Sequence, residues 1–239
     1  MKIYFVMPAY NEEANIEKTV QQWYPVVEKT SADCRLVIAN DGSKDRTFEI
    51  MKKLKSQYPQ LIPLDKPNSG HGPTVIYLYN YAIREGADWI FQTDSDGQTN
   101  PQEFQDFLDA TGEYDCIMGN RTVRGDGNDR KMVENVLRTY VWLFFHVWVP
   151  DANAPFRLMK TSVVEKYLNY LPTDFNLPNA VLTACFSKFH EKVFYRVITF
   201  RPRQGGVNSI NPKKILKIGW KAISDFWTIS RRINKLEKR

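Results

Sequence analysis

Two carboxylates separated by one residue, Asp94 and Asp96, directly follow a short apolar run at residues 89–92. If the chain is still extended at this point, both side chains point to the same side of it. Carboxylate oxygens are the protein ligands that Mg²⁺ or Mn²⁺ takes, usually together with oxygens of a bound phosphate. This spacing also arises by chance, so the pair indicates a divalent-metal site only if its position in the fold supports one.

Three further polar segments, at residues 10–12, 40–43 and 68–73, each follow a short apolar run in the same way. These runs alternate with helical patterns of about 10–15 residues, which indicates a parallel sheet with right-handed crossovers. Ligands of such a sheet bind beyond the carboxyl ends of its strands. We therefore expect the four polar segments to form one site, with His71 in its third loop.

The elements that must position these residues are short. The patterns predict strands at residues 3–7, 36–39, 61–64 and 89–92, with helices at 12–28, 46–56 and 74–85. After about residue 118 the pattern loosens, and it predicts only a loop at 120–130, an aromatic helix near 133–149 and a strand at 193–200. The sequence is thus consistent with one α/β domain at residues 1–211 and a helical extension at residues 212–239.

Composition excludes several classes of protein. Of the 239 residues, 43% are hydrophobic, which is enough for a folded core and excludes disorder. Three widely spaced cysteines argue against a disulfide framework or a structural zinc site and fit a reducing, cytoplasmic compartment. No stretch reaches the roughly 18 apolar residues of a membrane span. The glycine-rich dinucleotide motif and the P-loop lysine motif are both absent from the sequence.

Three motifs in order, at residues 7–13, 40–47 and 94–98, resemble the signatures of family 2 glycosyltransferases. The similarity is closest to the polyprenyl-phosphate, or dolichol-phosphate mannosyltransferase-like, group. Supporting segments follow at residues 100–104, 119–121, 151–157 and 200–209. The resemblance implies a GT-A fold, which is a Rossmann-like, mostly parallel sheet flanked by helices. It also implies inverting transfer of a sugar from a nucleotide-diphosphate sugar, such as a UDP- or GDP-sugar, with Mg²⁺ or Mn²⁺ as cofactor.

The resemblance and the four loops together predict the residues of the site. The donor is expected to contact Pro8, Ala9, Tyr10, Glu12, Asp41, His71, Asp94, Ser95 and Gln98. The metal is expected on Asp94 and Asp96. The acceptor or its phosphate is expected to contact Arg121, Arg157, Arg203 and Ser209, and Arg203 is also a candidate catalytic residue.

The acceptor decides whether a general base is needed. Displacement at the anomeric carbon builds negative charge on the leaving diphosphate, which a metal and an arginine would stabilise. A hydroxyl acceptor must lose a proton to a base, whereas a lipid phosphate is already ionised near neutral pH. Asp151 is the acid in the right region of the chain, and we take it as the candidate base. Both acceptors, a polyprenyl phosphate and a glycan hydroxyl, remain open.

The C-terminal segment carries the excess positive charge. Residues 213–239 contain nine Lys or Arg and two Asp or Glu, a net charge of +7, whereas the whole chain carries +6. Apolar residues recur every three or four positions, at Ile215, Ile218, Ala222, Phe226, Ile229, Ile233 and Leu236. A second stripe contains Leu216, Trp220, Ile223 and Trp227. Such a helix either packs on the body or lies at the cytoplasmic face of an anionic membrane.

Three rival functions are weighed against glycosyl transfer. A sugar nucleotidyltransferase would carry a glycine-rich loop after the first strand, where residues 10–12 stand instead. A nucleotide-sugar-binding module without turnover would not need the acidic pair. Nucleic-acid binding has only the basic C-terminal segment in its favour, without a recognition motif, so we expect no nucleic-acid partner.

Overall fold

A computed structural model describes residues 1–122, 128–202 and 212–234 of the chain. In these ranges a seven-stranded sheet has the order β3-β2-β1-β4-β6-β5-β7. Its strands are β1 (Ile3–Ala9), β2 (Arg35–Asp41), β3 (Leu61–Lys66), β4 (Trp89–Thr93), β5 (Cys116–Asn120), β6 (Phe156–Lys160) and β7 (Val193–Val197).

Helices cover both faces of this sheet. They are α1 (Ile16–Thr30), α2 (Thr47–Lys55), α3 (His71–Arg84), α4 (Phe104–Asp109), α5 (Asn128–Phe145), α6 (Thr161–Leu168), α7 (Pro178–Lys188) and α8 (Pro212–Asn234). Two short 3-10 turns, Pro101–Glu103 and Ala110–Gly112, flank α4.

The first half of the chain folds as its pattern predicts. β1 is buried along all seven residues and pairs in parallel with β2 and β4. Continuous apolar runs of this kind are typical of parallel strands that are covered on both faces. β3 contains Pro63 and lies at the edge of the sheet, which is where a strand tolerates proline.

The second half departs from the prediction. β6 is antiparallel to both β4 and β5, and neither β6 nor the helices α6 and α7 were predicted. β6 has only five residues, and its buried side chains include Arg157, so it lacks a continuous apolar signal. The aromatic helix was predicted to reach residue 149, but it ends at Phe145 because His146 adopts a positive φ of 59°.

Alternation along β1 separates two apolar cores. Tyr4 and Val6 point to the core that α3, α5, α6, α7 and α8 cover. Ile3, Phe5 and Met7 point to the opposite core beneath α1, α2 and α4. Because both cores pack against the same strands, the carboxyl ends of these strands are held in fixed relative positions.

Helix α8 packs on the body through one stripe. Ala222, Phe226, Ile229 and Ile233 are buried in the same core as the sheet. The Phe226 ring contacts the rings of Tyr140, Phe144, Phe145 and Phe175. Packing on the body is therefore confirmed for these four positions. The side chains of Ile215, Leu216, Ile218, Trp220 and Leu236 lie outside the described part of the chain.

The division of the chain at residue 211 stays a prediction, since that residue is itself outside the described ranges. Among the described helices, none is both long enough and apolar enough to cross a membrane.

Candidate active site

The first two polar segments meet at the carboxyl edge of the sheet. Asn11, with a positive φ of 53°, follows β1, and its backbone N–H donates to Ser43 Oγ at 2.9 Å. The N–H of Lys44 donates back to Asn11 Oδ1 at 2.9 Å. The N–H of Glu12 donates to Thr47 Oγ1 at 2.8 Å, at the start of α2. These bonds lock the loops after β1 and β2 together, as the strand order predicts.

The acidic pair lies where β4 ends. The strand stops at Thr93 and the chain bends at residues 95–97, with Gly97 at φ 74°. The condition that the chain stays extended through Asp96 is therefore not met. Both carboxylates are nevertheless partly exposed at the same edge of the sheet. Asp94 Oδ1 lies 3.9 Å from Nε2 of His71, the first residue of α3, so the third and fourth polar segments also meet.

The pair fits a divalent ion that is shared with a substrate. The described residues hold no cluster of three or more His, Cys, Asp or Glu side chains that could bind a metal alone. The Asp94 side chain is 25% exposed, and Asp96 Oδ1 accepts the Gln98 N–H at 3.1 Å. Mg²⁺ and Mn²⁺ commonly take one or two carboxylates and complete their shell with water and phosphate oxygens. Asp94 and Asp96 could hold such an ion.

Two buried neighbours fasten the acidic loop to the rest of the fold. Ser95 Oγ donates to the Pro8 carbonyl at 2.8 Å, and the Ser95 carbonyl accepts from the Thr19 hydroxyl at 2.9 Å. Gln98 Nε2 donates to the Arg201 carbonyl at 2.8 Å, and the Arg201 N–H donates to the Gln98 carbonyl at 2.8 Å. In this structure Ser95 and Gln98 therefore support the loop. Their direct contact with a donor stays a prediction.

Asp41 is buried at the end of β2 and binds the third loop. Its Oδ1 accepts from Lys66 Nζ at 2.6 Å and from the Ser69 N–H at 2.9 Å, and its Oδ2 accepts from the Gly70 N–H at 2.9 Å. Burial raises the pKa of Asp41, but Lys66 and these N–H groups outweigh burial and hold the pKa below its ordinary value. The carboxylate therefore orients the loop that leads to His71, and its predicted contact with base or ribose stays a prediction.

Gly42 allows this loop to approach closely. It has a positive φ of 62°, and a Cβ at this position would lie 2.6 Å from the backbone nitrogen of Asn68. A larger residue would meet both a strained backbone and a clash.

Arg121, Asp151 and Glu134 form a buried ionic cluster near the same edge. Arg121 Nε lies 2.7 Å from Asp151 Oδ2, and Arg121 Nη2 lies 2.8 Å from Asp151 Oδ1, which makes a bidentate pair. Arg121 Nη2 also lies 3.3 Å from Glu134 Oε2, and Glu134 Oε1 accepts the Ala152 N–H at 2.8 Å. The guanidinium carbon of Arg121 sits 5.2 Å from the centre of the Phe200 ring.

The sequence profile of Glycosyl transferase family 2 matches residues 4–168 of this chain. The chain belongs to this family. The resemblance that the three motifs predicted is thus confirmed, and the family favours sugar transfer over the rival nucleotidyl transfer.

Two curated relatives are named for polyprenyl-phosphate chemistry. Polyprenol monophosphomannose synthase of Mycolicibacterium smegmatis is 26% identical over 169 residues, which cover 67% of this chain and 62% of that protein. Undecaprenyl-phosphate 4-deoxy-4-formamido-L-arabinose transferase of Pseudomonas aeruginosa is 23% identical over 164 residues, covering 68% of this chain and 48% of that protein. The chain thus spans about half to three fifths of the length of these relatives.

The fold has close counterparts among solved structures. Glucosyl-3-phosphoglycerate synthase from Mycobacterium tuberculosis, in complex with Mn²⁺, UDP and phosphoglyceric acid, superimposes with a TM-score of 0.70 at 14% identity. The superposition covers 96% of this chain and 78% of that one. It confirms the predicted GT-A architecture for this family 2 member.

Within this family 2 site, the two carboxyls beside Arg121 titrate far apart. Burial raises the pKa of both groups. For Asp151, the hydrogen bonds and charge of Arg121 outweigh burial and lower the pKa to about 2. For Glu134, burial and the neighbouring Asp151 charge prevail over Arg121 and raise the pKa to about 7. Asp151 is thus a weak base near neutral pH, which argues against its predicted catalytic role.

Glu134 was not among the predicted site residues. It lies in the middle of α5, thirteen residues after Arg121, and no motif surrounds it. Only the folding of α5 over the segment before β6 brings its carboxyl to Arg121 and to the Ala152 N–H.

Arg157 is completely buried, and the structure therefore places it inside the fold instead of on an acceptor surface. Its Nη2 donates to the Ala154 carbonyl at 2.9 Å, and its Nη1 donates to the Asn179 carbonyl at 3.1 Å. The guanidinium thus ties the start of β6 to α7, and its predicted phosphate contact has no support in this arrangement.

The structure gives positions for four of the remaining predicted residues, and their contacts with a donor stay predictions. Pro8 and Ala9 are buried in β1, Tyr10 is half-buried, and Glu12 is buried beside Asn15, whose Nδ2 donates to its Oε2 at 2.7 Å. Arg203 and Ser209 lie outside the described residues.

Proposed function

We propose that this family 2 member is an inverting, metal-dependent glycosyltransferase that moves a sugar from a UDP- or GDP-sugar to a polyprenyl phosphate. The observation that carries the choice of acceptor is the bidentate pair of Asp151 with Arg121. The donor and acceptor halves of the proposal rest on different residues.

The donor half rests on the edge where the four loops meet. Asp94 and Asp96 would hold Mg²⁺ or Mn²⁺, and His71, close to Asp94, would contact the diphosphate. When bound, the metal ion neutralises negative charge that develops on the leaving diphosphate. Asp41 and Lys66 hold the loop before His71 in place, so the diphosphate meets a pre-formed surface.

The acceptor half follows from the state of Asp151. A hydroxyl acceptor requires a group that accepts its proton, and such a base works best when its pKa is near the operating pH. With a pKa of about 2, Asp151 is several units too acidic for this task. A lipid phosphate arrives ionised and attacks without a base. The relatives named for polyprenol and undecaprenyl phosphate support the same choice.

A second candidate is transfer to a glycan hydroxyl with Glu134 as the base. The observation that favours it is the pKa of Glu134, which burial raises to about 7. Since a base must be ionised to act, this candidate predicts activity that rises as Glu134 loses its proton near pH 7.

Contact with a membrane would bring the enzyme to a polyprenyl acceptor. On helix α8, Ile223 and Trp227 lie beside the packed stripe and are exposed to solvent. Arg231 lies 4.7 Å from the Trp227 ring, and Lys221 and Arg232 are exposed on the same helix. Tryptophan and basic side chains suit the headgroup layer of an anionic bilayer. We therefore place the enzyme peripherally at the cytoplasmic face of a membrane.

The test is direct transfer. Purified protein is incubated with Mn²⁺, a radiolabelled UDP- or GDP-sugar and a short polyprenyl phosphate, and the lipid product is analysed for its anomeric configuration. The proposal predicts a lipid-linked sugar phosphate with inverted configuration, and no product after EDTA. Transfer to glycan hydroxyls with none to lipid phosphate across the donor panel would refute it in favour of the second candidate.

A further inference from the structure

The Arg121 cluster contains two carboxylates and one guanidinium in a nearly closed space. The side chains of Arg121, Asp151 and Glu134 are only 7%, 3% and 12% exposed. Their three charges are therefore poorly screened by solvent. A change in the ionisation of one carboxyl must therefore affect the other two groups strongly.

The two carboxylates are not equivalent partners of Arg121. Asp151 accepts two guanidinium N–H groups, the Arg121 backbone N–H at 3.2 Å and the Asn153 N–H at 3.1 Å. Glu134 meets the guanidinium at one longer contact of 3.3 Å, accepts the Ala152 N–H, and shares a side-chain hydrogen bond with Asp151. Asp151 is therefore the permanent counter-ion of Arg121, and Glu134 adds a second negative charge beside it.

The charged groups around Glu134 come from three segments of the described chain. Arg121 follows β5 and contacts Glu134 directly. Asp151 precedes β6 and pairs with Arg121. On α5 itself, Arg138 lies about one turn after Glu134, and its Nε donates to the Val149 carbonyl at 3.0 Å. With both carboxyls ionised, the charges of Arg121, Asp151 and Glu134 sum to −1, and with Glu134 protonated they sum to zero.

An open space lies next to this cluster. Phe200, whose ring faces the Arg121 guanidinium, lines a cavity of about 330 Å³ together with Thr122, Ile198 and Thr199. Glu103 also borders this cavity, but both of its oxygens accept the Thr199 N–H at 3.0 and 3.1 Å. Phe200 and Thr122 thus connect this cavity to the cluster, although Arg121, Asp151 and Glu134 do not line it themselves.

We propose that Glu134 makes the binding of an anionic acceptor in this cavity, beside Arg121, proton-linked, so that the acceptor binds when the Glu134 carboxyl is protonated. This inference rests on the proposed function, because it takes the phosphate of the lipid as the anion. Protonation removes one negative charge that would repel the phosphate. Binding of the phosphate in turn favours the protonated carboxyl, so one proton is taken up from solvent onto Glu134.

The pKa of Glu134 supports this role. Burial and the Asp151 charge raise it to about 7, so its protonation changes near neutral pH. Above that pKa, each pH unit is expected to weaken phosphate binding by up to about tenfold, since binding requires one more proton.

The experiment compares wild-type enzyme with Glu134→Gln, which keeps an oxygen for the Ala152 N–H and carries no charge. Binding of a short prenyl monophosphate is measured by calorimetry at pH 7.5, with metal and UDP present, in two buffers of different ionisation enthalpy. The titration of the phosphate itself is common to both proteins and cancels in the comparison. Glu49→Gln, an exposed change on α2, is the matched control for loss of one negative charge.

We expect wild type and Glu49→Gln to take up as much as about 0.75 proton more than Glu134→Gln on binding at this pH, since about a quarter of the Glu134 carboxyls are already protonated. We also expect the acceptor KM of wild type to rise about tenfold between pH 7.5 and 8.5 relative to that of Glu134→Gln. Should the Gln variant fail to fold, Glu134→Met removes the charge without placing an amide N–H beside Arg121.

Equal proton uptake in wild type and the Glu134 variant would overturn the inference while leaving lipid-phosphate transfer intact. Failure of wild type to bind or glycosylate the prenyl phosphate at every pH from 5.5 to 8.5 would instead overturn the proposed function. A hydroxyl-acceptor activity that rises through neutral pH and is lost in Glu134→Gln would identify Glu134 as a base and refute the linkage.

Discussion

Asp151 accepts two hydrogen bonds from the Arg121 guanidinium, at 2.7 Å from Nε and 2.8 Å from Nη2, and both side chains are buried. A bidentate pair of this kind keeps the carboxylate ionised and fixes the guanidinium plane. In this structure Asp151 therefore serves as the ion-pair partner of Arg121 and not as a base. The first prediction follows from that geometry.

Replacing Asp151 with Asn should destabilise the fold by about 3–5 kcal/mol at pH 7, because it removes the bidentate carboxylate partner of the buried Arg121 charge. Arg121 lowers the pKa of Asp151 to about 2, below its unfolded value, so the stabilisation is present above about pH 4 and is lost as pH falls towards 2. Denaturant unfolding of both proteins between pH 2.5 and 7 measures this. A stability difference that does not shrink on acidification would contradict the pairing.

Glu134→Gln should have the opposite pH dependence. Burial raises the pKa of Glu134 to about 7, above its unfolded value, so the wild-type fold loses stability as pH rises from about 4.5 to 7. The loss is on the order of 3 kcal/mol for a shift of this size. We therefore expect Glu134→Gln to gain stability relative to wild type between pH 5 and pH 8. Parallel stability curves for the two proteins would show that Glu134 is ionised throughout.

Asp94→Asn and Asp96→Asn should each abolish transfer and weaken donor binding while the protein stays folded. Both carboxylates are partly exposed, so their loss leaves no deeply buried charge unpaired. In thermal unfolding, wild type with UDP and Mn²⁺ at about 100 times Kd should gain about 2.7 kcal/mol, and the variants should gain little. Asp33→Asn, at an exposed position remote from this edge, is the control. Full activity of both variants in the presence of EDTA would exclude the metal mechanism.

Two neighbours on α8 should separate packing from membrane binding. Phe226 is buried against four aromatic rings, so Phe226→Ala should cost about 3–5 kcal/mol of folding stability. Trp227 is exposed, so Trp227→Ala should change stability by no more than about 0.5 kcal/mol. Trp227→Ala should nevertheless reduce co-sedimentation with anionic liposomes at low salt. Equal co-sedimentation of Trp227→Ala and wild type would remove this face of α8 from membrane contact.

The order of the first four strands and three helices was readable from the sequence alone. Runs such as residues 3–7 are apolar throughout, and a buried parallel strand demands just that local pattern. The acidic pair, His71 and the loop after β2 were placed at one edge for the same reason, because parallel strands end together. Family membership was likewise carried by motifs that are contiguous in the chain.

The partners of charged side chains were decided only by the tertiary structure. Asp41 pairs with Lys66 across 25 residues of chain, and Arg121 pairs with Asp151 across 30. No local sequence pattern predicts either pair. β6 escaped prediction because its five residues include Arg157, which becomes a buried side chain only after α7 supplies its hydrogen-bond acceptors. Residue type determines which charges exist, but a pKa depends on burial and on neighbours that only the folded chain brings together. Glu134 and Asp151 are both ordinary acids in the sequence, and their different packing around one arginine shifts their pKa values in opposite directions.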